Sequence, residues 1–356
     1  MRDERGRLLG SALYSSASQI GVRLLTTEAI TDERLRSPLR ERIASAVQFR
    51  QQVVHDSDAY RVIFSEADLL PGLIVDKYND ILAMQALTQA FDRDDLRQVV
   101  TTTLAKHFPA CSLVERVDQH IRELEQLPER PSQLLRGERT STVFTMNGVR
   151  FHFDALGGQK TGAFLDQREN YAAAAHYSHG EALDCFTYQG GFALSLARTC
   201  QSVTAVDSSR PALEVADQNE QLNRAEHRCG EIEWIEANAF DLLKDYASAA
   251  RQYDTIVLDP PAFAKTKRAV VTALRGYKEL NLRALKMLRP GGVLITCSCS
   301  FHVSEADFLD MLGSAAADAG RRVRILEKRG QAQDHPILLN VPETAYLKCF
   351  IINAIN

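Results

Sequence analysis

Residues 181–197, EALDCFTYQGGFALSLA, pass from a short apolar run through a polar turn with paired glycines into a helical pattern. EALDCF reads as a strand and GFALSLAR as a helix, and Gly190 with Gly191 lets the backbone come close to a ligand at the helix start. The same alternation continues downstream. Strands SVTAVD, EIEWIEA, YDTIVLD and GVLITCS are separated by helices such as RPALEVADQNEQLN and GYKELNLRALKML. Alternation of this kind predicts an open, mostly parallel sheet with helices on both faces, which binds ligands outside the carboxyl ends of its strands.

The strand ends are chemically specific. The glycines after the first strand do not form G-x-G-x-x-G, which argues against a dinucleotide, whose pyrophosphate needs that pattern. The second strand ends in Asp207, an acidic side chain able to bind both hydroxyls of a ribose. The third ends in ANAF, where Asn238 could accept from an adenine amino group and the backbone beside it could contact the ring. A ribose without a pyrophosphate suggests an adenosyl ligand. Taken singly, a Gly-Gly pair is often only a turn and a strand-end Asp is more often a helix cap. Three such features at consecutive strand ends favour the ligand.

The rest of the chain bounds this reading. With 356 residues, 45% hydrophobic and 25% charged, it is long enough for two or three globular domains. No segment has the roughly 20 unbroken apolar residues of a spanning helix, and the start lacks the apolar core of a signal peptide, so a cytoplasmic protein without membrane contact is expected. Seven cysteines form no disulfide framework. The net charge of −4 argues against broad, non-specific nucleic-acid binding. Residues 8–26 show the period-2 pattern of short strands. A helix is expected from Ser37, with Ser37 as N-cap and Pro38 just inside. Residues 60–87 read as strand, Pro-Gly turn, strand, Asn-Asp turn, strand, and 92–108 as a second helix, together a compact α+β module.

Seven segments carry a family resemblance: GGQKTGAFLDQREN (157–170), DCFTYQGGFALSLA (184–197), VDSS (206–209), LDPPAF (258–263), RGYKELN (275–281), TCSCS (296–300) and DHP (334–336). Together they resemble the class I S-adenosylmethionine-dependent methyltransferases, most closely the bacterial ribosomal large-subunit RNA cytosine-5 methyltransferases of the RlmI type. The resemblance implies a Rossmann-like domain with a mostly parallel seven-stranded sheet at 157–356. It implies a central α+β domain at 31–156 and a partial PUA-like RNA-binding segment at 1–30. It also implies S-adenosylmethionine as cofactor, with Asp184, Phe186, Tyr188 and Gly190 near its methionine portion, Asp207 at the ribose, and Asn238 and Ala239 at the adenine. Phe164, Gln167 and Arg168 would cover it, and Asp259 would lie beside it. Asn238 stands where many relatives carry Asp, and an amide oxygen can still accept the adenine donor. The implied partner is large-subunit ribosomal RNA; a homodimer is admitted, although nothing in the sequence sets the oligomeric state.

Cys297 and Cys299 raise a separate question. They lack the companion ligands of a zinc site, and a disulfide between residues i and i+2 would be strained, so no metal is expected. A buried, inert role suits Cys297. Alignment with the family's S-C-S places the nucleophile at Cys299, with Cys297 the alternative. Cytosine C5 is a poor nucleophile until a thiolate adds to C6 and makes C5 enamine-like, which requires the base to leave its stack. Pro260, Pro261 and Phe263 would hold that base, with Asp259 recognising it or managing its protons, and Ala262 leaves this loop without a second thiol. Lys265, Arg275 and Lys278, with Lys267 and Arg268, could contact phosphates, and a solvated face is the plain alternative. Two other functions compete: an amino-group methyltransferase, because D-P-P-x-F resembles a loop that cradles exocyclic nitrogens, and a non-catalytic RNA-binding assembly factor.

Overall fold

The computed structural model describes residues 1–18, 20–157, 163–224 and 230–356. By contact the chain divides into two compact units, the first formed by residues 1–148, 152–165 and 333–344, the second by 149–151, 166–332 and 345–356.

In the first unit, β1 (Ser11–Tyr14) and β2 (Val22–Thr26) pair antiparallel and turn Leu13 and Leu25 into the same core as the long helix α1 (Asp32–Val53). That helix begins at Asp32 with Thr31 as N-cap, not at Ser37, so Pro38 lies in the helix interior. Proline there removes one backbone bond and would normally break the helix. Burial of Leu35, Leu39 and Ile43 along one face overrides that cost. A five-stranded sheet follows in the order β3 (Ala59–Phe64), β4 (Leu73–Tyr78), β5 (Ile81–Ala86), β6 (Ser112–Glu115) and β7 (Gln133–Arg136). The helices α2 (Gln89–Asp92), α3 (Asp94–His107) and α4 (Gln119–Leu124) lie between its later strands in sequence, and β8 (Ser141–Met146) and β9 (Val149–Asp154) form a separate hairpin.

The DHP segment finishes this unit. Arg50 is buried on α1; both its terminal nitrogens meet the carboxylate of Asp68, and Nη2 also donates to Asp334 O at 2.8 Å. Asp334 Oδ2 accepts from Arg61 N at 2.7 Å, and the His335 ring lies 5.2 Å from that of Phe64. The motif is therefore a structural plug in which each buried charge has a partner, as burial requires.

The second unit contains α5 (Arg168–Tyr177), β10 (Glu181–Cys185), α6 (Gly191–Leu196), β11 (Ser202–Asp207), α7 (Arg210–Asn223), β12 (Glu231–Glu236), α8 (Ala239–Ser248) and β13 (Tyr253–Leu258). It continues with α9 (Val270–Met287), β14 (Leu288–Ser298), α10 (Glu305–Asp318), β15 (Val323–Arg329) and β16 (Lys348–Ala354). The seven strands run β12-β11-β10-β13-β14-β16-β15. The first five are parallel, and β16 is antiparallel to both of its neighbours. The expected strands are present, and β14 starts four residues earlier than GVLITCS suggests. Strand order reverses between β10 and β13, the switch point at which such sheets take ligands. Among the described residues no helix is long and apolar enough to cross a membrane.

Replacing Asp334 by Ala orphans the buried end of the plug. We expect a loss of about 1.5–3 kcal/mol, the range for a hydrogen bond to a charged group, read as a lower urea midpoint with an unchanged m-value.

Candidate active site

Three loops meet the carboxyl ends of β10, β13 and β14. The first, 186–190, is strained: Phe186, Tyr188 and Gly190 all have left-handed backbone, with φ of 67°, 51° and 85°. For the two aromatic residues this conformation costs on the order of 1–3 kcal/mol each and persists only where neighbours enforce it. Asp184, fully buried, accepts from Thr187 Oγ1 at 2.6 Å, and Thr187 N donates to Val206 O at 3.0 Å. Tyr188 N donates to Asp207 Oδ2 at 2.9 Å, and Asn219 Nδ2 to Gln189 O at 3.0 Å. The turn is thus pinned on every side. Gly191 has another reason to be glycine: a Cβ there would meet the Tyr171 ring at 2.5 Å, so the small residue admits a side chain of the protein itself.

The polar groups fit an adenosyl ligand with one change. Asp207 spends one lone pair of each oxygen on backbone amides, those of Tyr188 and Ser209, leaving acceptor capacity for two ribose hydroxyls. Asn238 Oδ1 accepts from Phe240 N at 2.9 Å and from Asp241 N at 3.4 Å, capping α8. The oxygen expected to accept from adenine is therefore committed to the helix, and the group left to a ligand is the Nδ2 donor, which suits a ring nitrogen better than an amino group. Ala239 is buried at the first position of that helix.

Asp259 follows β13 and is half-buried. Burial and then the charges of Asp166 and Asp184 push its carboxyl up to about 8, against hydrogen bonds from Gln167 and Cys297. Asp184 is pushed up to about 7, mainly by burial. One of its oxygens, Oδ1, is sealed without a hydrogen-bond partner, although the Ala193 amide lies near enough to lower its pKa. Gln167 is oriented by Asn170, whose Nδ2 donates to Gln167 Oε1 at 2.6 Å and so leaves the Gln167 amide nitrogen for Asp259. Arg168 is buried and bonds Glu169 at 3.3 Å. Phe164 belongs to the other unit and is exposed. Residues 158–162 of the same motif lie outside the described residues.

The two thiols differ. Cys297 is sealed, paired across the sheet with Cys349, and pushed well above the ordinary thiol range by burial. Cys299 is half-buried, and its thiol donates to Pro260 O at 3.8 Å. Burial, Asp259 and Asp166 push it up to about 12, against Lys348. The Lys348 ammonium donates to Ser300 O at 2.7 Å and Tyr346 O at 2.9 Å, and burial lowers it to about 8. Sequence reasoning did not find Lys348, Asn170 or Tyr277; the last two sat unnoticed inside quoted motifs.

The loop after β13 and the start of α9 are mixed in exposure. Pro260 is buried and Pro261 exposed. Phe263 is half-buried, its ring 4.7 Å from Tyr277 and 5.9 Å from Phe240, so it is largely a core residue. Lys265, Lys267, Arg268 and Arg275 are exposed, whereas Lys278 is bound to Asp318 at 2.6 Å. Among the described residues no cluster of His, Cys, Asp or Glu is placed to hold a metal.

The raised pKa of Asp259 has a stability consequence. The folded state keeps a proton that the unfolded chain releases near its ordinary 3.8, so this group's contribution is full below that pH and is lost as pH rises through about 8. Asp259→Asn carries no such proton. Its melting temperature should gain on wild type steadily from pH 4 to 8 in a calorimetric series.

A family model for S-adenosylmethionine-dependent methyltransferases matches residues 68–352. The ribosomal RNA large subunit methyltransferase I of Tolumonas auensis is 37% identical over 361 residues, covering 99% of this chain and 89% of that protein. Its counterpart in Aeromonas salmonicida is 38% identical over 355 residues, covering 98% and 88%. A putative SAM-dependent methyltransferase from Streptococcus mutans has the same fold, with a TM-score of 0.82 at 18% identity over 98% of this chain and 89% of that one. With the reversed strand order, the pinned turn after β10 and the acceptors at Asp207 already in place, these likenesses settle the family: the chain belongs to the S-adenosylmethionine-dependent methyltransferases, among the ribosomal RNA large subunit methyltransferase I proteins.

Proposed function

We propose that this protein methylates C5 of a cytosine in large-subunit ribosomal RNA through a covalent bond between Cys299 and C6. The observation that carries the reading is the contrast between two thiols two residues apart. Cys297 is sealed in the sheet; Cys299 is half-buried at the strand end, against the carbonyl of the Pro-Pro loop and under the influence of Asp259. Amino-group methylation needs no thiol, and the Phe263 ring that would sandwich an amine-bearing base is held by Tyr277.

The cofactor supplies an electrophilic methyl group. Asp207 would hold its ribose, Asn238 Nδ2 would face its adenine, and Gln167 and Arg168 would cover it. Asp259 is mostly protonated at neutral pH; its proton can be shared with cytosine N3, which draws electrons from C6. Once Asp259 has given its proton to N3, its carboxylate takes the proton of the Cys299 thiol as the sulfur adds to C6, and the C5=C6 pair moves to C5, which would take the methyl while the methyl–sulfur bonding pair stays on the cofactor's sulfur. Water takes the C5 proton, the C–H bonding pair restores the C5=C6 double bond, and the sulfur leaves C6 as a thiolate that recovers the N3 proton through Asp259. Lys348 opposes the surrounding carboxylates as negative charge develops on Cys299.

Lys265 and Arg275 contact phosphates in this reading, and Lys278 joins them on release from Asp318. The division into a partial PUA-like segment at 1–30, a central domain at 31–156 and a catalytic domain at 157–356, and action in the cytoplasm, belong to the same proposal.

RNA carrying 5-fluorocytosine tests it, because fluorine cannot leave C5 as a proton and the adduct persists. Wild type and Cys297→Ser should give a protein–RNA band under denaturing conditions, and Cys299→Ser should give none while still binding cofactor. A band from Cys299→Ser but not from Cys297→Ser would transfer the role to Cys297. No band from wild type would favour amino methylation.

A further inference from the structure

The serines of the thiol segment have no part in the chemistry above, yet they are its most closely held groups. Ser298 Oγ donates to Tyr277 Oη at 3.0 Å, and Tyr277 Oη shares a hydrogen bond with Ser300 Oγ at 2.9 Å. Ser300 Oγ also accepts from Ala264 N at 3.1 Å, and Ser300 N donates to Ser298 Oγ at 3.3 Å. Tyr277, Ser298 and Ser300 are all fully buried.

From this geometry we infer that the Tyr277 hydroxyl is a positioning group that sets Cys299 against the Pro-Pro loop. The inference rests on the reading of Cys299 as the nucleophile. β14 ends at Ser298. The two serines that flank Cys299 are both bound to the Tyr277 hydroxyl, whereas the Cys299 thiol has a different partner, the Pro260 carbonyl. Through Ser300 the same hydroxyl reaches the amide of Ala264, at the far end of the loop whose Pro260 carbonyl receives the Cys299 thiol. One oxygen on α9 thus couples both walls of the site, the end of β14 and the loop after β13. Packing alone does not ask for it: the Tyr277 ring already meets Phe263 at 4.7 Å and Phe308 edge-on at 5.3 Å, contacts a phenylalanine would keep. A buried hydroxyl trio that is fully bonded rigidifies its surroundings, and loses that effect when one member goes. Tyr277 touches no reacting atom in this arrangement and acts through Ser298 and Ser300.

Tyr277→Phe in the full-length protein tests this with two readouts. Iodoacetamide labelling of each cysteine, followed by peptide mass analysis, should show Cys299 reacting at least ten times faster than in wild type, with buried Cys185 and Cys297 still protected. Methyl transfer to unmodified large-subunit ribosomal RNA should lose at least tenfold in kcat, with KM for RNA and cofactor within twofold. Ser300→Ala, which keeps the ring and cuts the link to Ala264, should repeat the pattern and serves if Tyr277→Phe folds poorly. Unchanged Cys299 labelling in both variants overturns the inference, and so does a parallel rise at Cys185 and Cys297, which marks general loosening. Failure of the nucleophile reading shows separately, as absence of the 5-fluorocytosine adduct in wild type.

Discussion

The reversal of strand order between β10 and β13 is the constraint on which the site depends. After β10 the chain moves outward through β11 to β12, then returns to β13 on the other side, so the connections leaving β10 and β13 diverge. Register keeps their ends level: Cys185 is paired with both Val206 and Leu258, and Leu258 with Thr296. A turn, a Pro-Pro loop and a thiol-bearing strand end are thereby brought to one edge, although 68 residues or more of sequence separate the turn at 184–191 from Asp259, and Cys299 lies later still. Parallel pairing accomplishes this, because it sends every carboxyl end the same way.

That edge gathers buried carboxyls. Asp166 and Asp184 both act on Asp259, and burial holds Asp184 and Asp259 near neutrality in pH. Such a cluster suits the positively charged donor that defines the family and opposes ionisation of Cys299 beforehand. The overall charge of −4 therefore says little about the site, whose character comes from three carboxyls and one lysine.

Much of this was legible in the sequence, and the exceptions have physical causes. Apolar runs ending in Asp184, Asp207, Asp259 and Cys299 mark the strand ends because a parallel sheet buries both faces of its strands. The start of α1 was misplaced because Ser37-Pro38 is a strong local signal, and only burial of Leu35 and Leu39 in three dimensions outweighs it. The orientation of the Asn238 amide was not legible, since helix capping claims whichever oxygen faces the α8 amides. Tyr277 reads as an ordinary core position on an amphipathic helix; its hydroxyl acquires meaning only when β14 is laid beside it. Lys348 is farther from view, because an antiparallel strand some fifty residues after Cys299 carries it back to the thiol's neighbourhood, opposite Ser298.

The plug formed by Asp334 and His335 bears on how the protein is made. Arg50 and the carbonyl that completes its shell are 284 residues apart, so at ribosomal rates of about 5–20 residues per second the guanidinium waits on the order of 15–60 s for its last partner. During that interval the amino-terminal unit has its helix and its sheet but lacks the residue that caps Arg61. It matures only after β15 has been synthesised, which couples completion of the first unit to near-completion of the second. Nascent chains stalled before Asp334 therefore hold Arg50 with one acceptor missing.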